Sequence, residues 1–243
     1  MTDMSDIFVF IVASFEEKAY EYFVKMRKLQ LAKYNIPHRF LFDGPCPEGY
    51  TPDQNDVFYD KPQPPFPVQN IPFPAINPHM IIKFMKALKN PEFDPSKYKY
   101  ILRINLSTFI NFPKLFELLP TLPTSRCCAA HTAMIDVGEW PEYQGRFMRL
   151  VSGTAQIFTP DFITWFRDNV NYDNHDIYQH NDDVVLSHFV AQQGLQVVPL
   201  TLTYNRNDTK AVLIRLKSFE NRFYDVQSWA NLLKEVDDIT FVH

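Results

Sequence analysis

Three short stretches carry side chains with chemistry in them. Over residues 98–111 an apolar strand runs into the polar triplet Asn105–Leu106–Ser107, then into the apolar-aromatic step Thr108–Phe109–Ile110–Asn111 and a helix over 113–119. Ser152–Gly153–Thr154 interrupts a second apolar run, and Asn181–Asp182–Asp183–Val184 opens a later helix. Asn105 and Ser107 supply neutral oxygens, weak ligands for a hard cation. Asp182 and Asp183 supply carboxylates able to take a hydroxyl proton. Taken alone, the same two acids also suit a first helical turn behind an Asn N-cap, where the helix dipole favours negative charge.

Positioning these groups falls to alternating short strands and helices, the pattern of an α/β domain. Residues 6–13 read as a first buried strand. A helix over 16–35 follows, with Ala19, Tyr22, Phe23, Met26 and Leu29 at helical spacing. Residues 39–42 form a second strand, ended by Asp43–Gly44–Pro45. The proline-dense segment 46–78 is irregular apart from a strand at 57–59, and a loop of that length is usually functional. Asn77–Pro78 caps a helix carrying Ile81, Phe84, Met85 and Leu88. Residues 149–158 are a strand, Thr159–Pro160 starts a helix buried through Phe162, Ile163 and Phe166, and 169–181 is loop. A helix over 182–193 ends at Gly194. Strands at 195–203 and 211–216 precede a last helix capped by Asp225, with Val226, Trp229, Leu233 and Val236 inward. With no internal repeat or linker, one domain over 1–243 is expected.

Composition narrows the function classes. The 243 residues, 46% of them hydrophobic, can bury one sizeable core. A net charge of -4 gives no basic footprint for nucleic acid. No run approaches the roughly 18 apolar residues of a membrane span, and residues 1–6 lack the basic and apolar regions of a secretory signal, so a soluble, cytoplasmic protein is expected. Cys46, Cys127 and Cys128 are odd in number and fit reduced, buried thiols. The six glycines form neither a G-x-G-x-x-G nor a P-loop pattern. Asn105–Leu106–Ser107 and Asn207–Asp208–Thr209 match a glycosylation acceptor pattern, which means little without a secretory signal. His175 and His180 read as solvated loop residues. Trp140–Pro141 with Tyr143 suits an aromatic sugar platform or a packed loop equally.

The order of these motifs over roughly residues 55–200 resembles that of the Fringe-like and β-galactosyltransferase-like glycosyltransferases of the GT-A fold. Asn105–Leu106–Ser107 stands where that family has an acidic D-x-D triplet, and Thr108–Phe109–Ile110–Asn111 where it has V-F-V-N. Residues 151–158 stand for its S-G strand, and Asp182–Asp183–Val184 for its E-D-V. The resemblance implies a GT-A-like (Rossmann-like) α/β domain with a mostly parallel twisted sheet flanked by helices. It implies inverting transfer of a sugar from a uridine or guanosine diphosphate sugar to a glycan or other hydroxyl acceptor.

The nucleotide would sit at the carboxyl ends of the first strands, near Ser14, Phe15, Asp43, Lys83 and Asn105. Asp183 would be the general base, with Asp182 second. Trp140, Tyr143, Ser152 and Gly153 would meet the acceptor. The departure from the family lies in the triplet: without two formal charges a Mg²⁺ or Mn²⁺ site loses several kcal/mol on the general scale of local charge interactions. Three readings follow: metal held weakly by Asn105, Ser107 and phosphate; metal-free transfer with Arg103, Arg215 and Lys217 neutralising phosphate; or loss of catalysis. Asp136 and Glu139 are the carboxylates to inspect for a metal ligand outside the triplet. The opposing class is a non-catalytic nucleotide-sugar or glycan-binding module. A nucleotidyltransferase is a third, weakened by the lack of a glycine-rich loop near Ala13–Ser14.

Overall fold

Six consecutive apolar residues, Ile7–Val12, form β1, an inner strand of a seven-stranded sheet. Its side chains divide between two cores: Ile7, Val9 and Ile11 on one face, Phe8 and Phe10 on the other. Successive strand side chains point to opposite faces, and a strand covered on both faces reads as an unbroken apolar run. The structure, a computed structural model, describes residues 6–60, 79–136, 147–171, 181–218 and 221–241.

The other strands of this sheet are β2 (His38–Asp43), β3 (Asp56–Tyr59), β4 (Tyr100–Asn105), β6 (Cys127–Asp136), β7 (Phe147–Phe158) and β8 (Gln196–Pro199). Their order is β3-β2-β1-β4-β7-β6-β8. The first four run parallel, β7 is antiparallel to β4 and β6, and β8 is parallel to β6. A small second sheet joins β5 (Thr108–Ile110), β10 (Leu213–Arg215) and β9 (Leu202–Thr203) in the order β5-β10-β9. Helices α1 (Lys18–Lys33), α3 (Phe112–Leu118) and α6 (Arg222–Asp237) pack with the small sheet on one face. Helices α2 (His79–Leu88), α4 (Pro160–Asn169) and α5 (Asp182–Gln192) cover the other. The fold class expected from the sequence, a mostly parallel sheet flanked by helices, is the one observed. No described helix is long and apolar enough to cross a membrane.

The structure corrects several local expectations. β6 was not anticipated: its Cys-Cys-Ala-Ala-His-Thr start has no alternating pattern, and alanine is a weak strand former. The expected strand over 195–203 is two strands in two sheets. Leu200 N–H still reaches Ala130 O, 2.8 Å away, before the chain passes to β10. Asn221, not Asp225, caps α6, accepting from Phe223 N–H at 2.9 Å. Asp225 is fully buried in the first turn. Cys127 and Cys128 are buried free thiols, but Cys46 is exposed. Gly194 takes a positive φ of 57° just past α5, the left-handed stop that glycine adopts without strain. The expected cap at Asn77–Pro78 and the loop residues 172–180 lie outside the described residues.

Candidate functional site

Three parallel strands end level with one another. Val12 is in register with Asn105 on β4 and Leu41 on β2. The ladder extends one residue further on each side, through Ala13 N–H to Leu41 O and Leu106 N–H to Val12 O, both 3.0 Å. Beyond these carboxyl ends lies a cavity of about 260 Å³. Small-molecule sites usually run about 300–1,000 Å³, so a nucleoside diphosphate sugar would extend past this one.

Ser14, Asp43, Asn105 and Ser107 line the cavity from the strand ends, Lys83 from α2, and Arg215 and Lys217 from the end of β10. All seven were singled out from the sequence as donor-binding candidates. Phe15 does not line it. It stacks on Phe42, centroids 4.7 Å apart, at the end of a row of rings continued by Phe58. The sequence reading missed Glu16, Glu17, Tyr20 and Met80, which also line the cavity. For three of them the signal was position, since Glu16 and Glu17 lie four and five residues past the end of β1 and Tyr20 one helical turn beyond Glu16.

The charges divide unevenly. Lys83 is buried, donating to Asp43 Oδ2 at 2.7 Å and Ala13 O at 2.8 Å. Burial pulls its pKa down while Asp43 opposes the shift. Glu17 is committed to Arg222 at 2.6 Å. Among the described residues Arg215 donates only to the neutral Thr108 Oγ1, at 3.2 Å, and burial lowers its pKa. Burial and then Arg215 lower that of Lys217. Among the described residues neither cation has a carboxylate within ion-pair distance, so an anion between them relieves a repulsion already present. Asn105 Oδ1 is buried without a hydrogen-bond partner among the described residues, an unsatisfied acceptor at the strand end.

Among the described residues the cavity lining is a poor donor set for a resident Mg²⁺ or Mn²⁺. Asn105 and Ser107 are neutral, Asp43 and Glu17 are held by cations, and the one further lining carboxylate among the described residues, Glu16, shares the wall with Lys83, Arg215 and Lys217. Among the described residues no three His, Cys, Asp or Glu gather as a metal cluster. The Asp136 side chain and Glu139 lie outside what is described.

Arg103 stands apart from the cavity. It is fully buried, paired with Asp182, and donates to Gly153 O at 3.3 Å and Gln156 Oε1 at 3.2 Å. The expected phosphate role is replaced by a link between β4 and the start of α5. Asp182 and Asp183 likewise do not line the cavity. Arg103 shares a strand face with Asn105, two residues and about 7 Å along β4. Burial, and next the neighbouring Asp182, raise the pKa of Asp183.

β7 makes room for this pair. Between Val151 and Gln156 its ladder with β6 is broken by an irregularity opposite His131, and Ser152–Gly153–Thr154 bulges out. Bulges often re-aim chains beside functional sites. A Cβ on Gly153 would stand 3.1 Å from Asp182 Oδ2 and 3.3 Å from Asp183 Cβ, so a larger residue would have to push the acid pair aside by a few tenths of an ångström. Ser187 Oγ accepts from Val151 N–H at 2.8 Å and donates to Asp183 O at 2.6 Å, which fixes α5 to the bulge. Ser152 and Gly153 therefore border the acid pair rather than the cavity. Trp140 and Tyr143 lie outside the described residues.

No protein-family model matches the chain, and no curated protein matches it by sequence. Among solved structures, it is similar to a glycosyltransferase involved in glycosylation of the major capsid of PBCV-1, at 10% identity over 91% of this chain and 98% of that one, TM-score 0.46. It is similar to 2-C-methyl-D-erythritol 4-phosphate cytidylyltransferase from Thermus thermophilus, at 15% identity over 90% and 96%, TM-score 0.45. It is also similar to the catalytic domain of Drosophila β1,4-galactosyltransferase 7 in complex with xylobiose, at 13% identity over 90% and 72%, TM-score 0.42.

Proposed function

We propose that this protein is a GT-A-like glycosyltransferase, moving a sugar from a nucleoside diphosphate sugar to a hydroxyl acceptor without a resident metal ion. The observation that carries this reading is the cavity at the carboxyl ends of parallel strands, where, among the described residues, Arg215 and Lys217 have no carboxylate within ion-pair distance. Ligands of open parallel sheets bind outside those ends. A diphosphate between these two cations supplies an anion that relieves their repulsion.

In the reaction, the acceptor oxygen bonds to the anomeric carbon as the bond from that carbon to the diphosphate breaks, its electron pair leaving on the diphosphate. The hydroxyl proton passes to Asp183, and one direct displacement inverts the anomeric centre. A carboxylate with a raised pKa is a stronger base at neutral pH than an ordinary one. Arg215 and Lys217 meet the charge that develops on the leaving group. Thermal shift with uridine and guanosine diphosphates and their sugars tests the reading. A ligand at about 100 times its dissociation constant adds about 2.7 kcal/mol of stability. No shift with any of them at millimolar concentration rejects it.

A further inference from the structure

The Arg215 guanidinium is aimed from behind by a buried assembly that reaches the far side of the small sheet. Thr108 and Arg215 are a cross-strand pair of β5 and β10, so their side chains share a face. The fully buried Thr108 hydroxyl donates to Thr154 O at 3.1 Å and accepts from Arg215 Nη1 at 3.2 Å. With its proton committed to β7, its lone pair is left for the guanidinium.

β5 is itself an edge strand, and its unpaired carbonyls are met by side chains of α1. Arg27 donates to Thr108 O, and Gln30 Nε2 to Ile110 O at 2.8 Å. Arg27 also donates to Gln30 Oε1 at 2.5 Å and lies 4.7 Å from the Trp229 ring centroid. Gln30 and Tyr34 both donate to Asp237, each at 2.6 Å. Burying an arginine, a glutamine and an aspartate costs stability unless each is hydrogen-bonded. Here they replace the neighbour that β5 lacks, close behind the Asn105–Ser107 turn.

We propose that Thr108, backed by Arg27 and Gln30, is a positioning residue that fixes Arg215 for an anionic ligand. This rests on the donor-site reading above and adds the device that sets its affinity for phosphate. Thr154 O belongs to the bulge beside Asp182 and Asp183, so the same hydroxyl ties the anion site to the acid pair.

The test is calorimetric titration with inorganic pyrophosphate, and separately with uridine and guanosine, of wild type, Thr108→Val and Thr108→Ser. The valine variant is expected to bind pyrophosphate three- to tenfold more weakly, about 0.65–1.4 kcal/mol, with nucleoside affinity unchanged. The serine variant, which keeps the hydroxyl, restores wild-type binding. Arg27→Met is expected to shift pyrophosphate affinity in the same selective way. Should that variant not fold, the valine and serine pair still decides. Unchanged pyrophosphate binding in Thr108→Val, or equal weakening in the valine and serine variants, overturns the inference alone. Wild-type protein that does not bind pyrophosphate overturns the anion site and the inference together.

Discussion

Replacing Asp183 by Asn separates a general base from a helix-terminal charge, because the two roles forecast opposite effects on stability. Burial first and Asp182 second raise the pKa of Asp183, outweighing Arg103 and the backbone N–H groups. Between the ordinary carboxylate value and the raised native one, the folded state holds more protons than the unfolded chain. Stability therefore falls as pH rises through that window and stays lower above it. The amide has no charge to bury and keeps an oxygen for Val184 N–H, now 3.0 Å away. The variant is expected to melt at or above wild type at pH 7 and to flatten that pH slope. A favourable dipole interaction alone would instead cost about 0.3–1 kcal/mol. Turnover should fall by about 10²–10⁴, about 2.7–5.5 kcal/mol of barrier, with donor affinity kept. Melting against pH, donor titration and turnover on one preparation decide it. Wild-type turnover refutes the base, and a lowered melting temperature refutes the electrostatic reasoning.

Lys217→Ala is expected to weaken nucleoside diphosphate binding about tenfold and leave the nucleoside unaffected, since only the phosphates lose a charge-assisted contact; equal weakening in calorimetry places Lys217 outside the site. Gly153→Ala puts a methyl 3.1 Å from Asp182 Oδ2 and 3.3 Å from Arg103 Nη1. Melting temperature and turnover should both drop while donor affinity holds, and unchanged turnover contradicts the close approach as a functional constraint. Asp43→Ala strips the buried Lys83 of its carboxylate, a change that typically costs about 3–5 kcal/mol; denaturant unfolding showing a loss of less than about 1 kcal/mol would mean the pair is not held as described.

How legible each part was follows from its physics. β1, β2 and β4 announced themselves as apolar runs because both faces of the sheet are covered. Their carboxyl ends then located Ser14, Asp43 and Asn105. Lys217 and Arg215 were found because a late strand ends in basic residues. Arg103 shares Asn105's strand face, but it sits two residues back along β4, beneath the start of α5 rather than at the strand end. Its side chain turns to α5 and pairs with Asp182, while Ser107 turns to the cavity. β10 falls within the strand expected over 211–216, but β5 is only three residues long, too short for a periodic signal, and only long-range contacts reveal that Arg27 and Gln30 edge it. Asp225 looked like a cap from its spacing to Val226 and Trp229. The cap lies four residues earlier, at Asn221, and burial beside Arg206 and Arg222 gives Asp225 another task.

The most direct measurement of the central claim is release of nucleoside diphosphate from a panel of uridine and guanosine diphosphate sugars, with a hydroxyl acceptor present or absent, in excess chelator and again with added Mn²⁺. At least one donor is predicted to be cleaved in chelator, faster with acceptor, and by less than tenfold more when Mn²⁺ is supplied. Cleavage of none of the donors under either condition contradicts the transferase, and cleavage that chelation reduces more than a hundredfold contradicts a site in which Arg215 and Lys217 take the place of the metal.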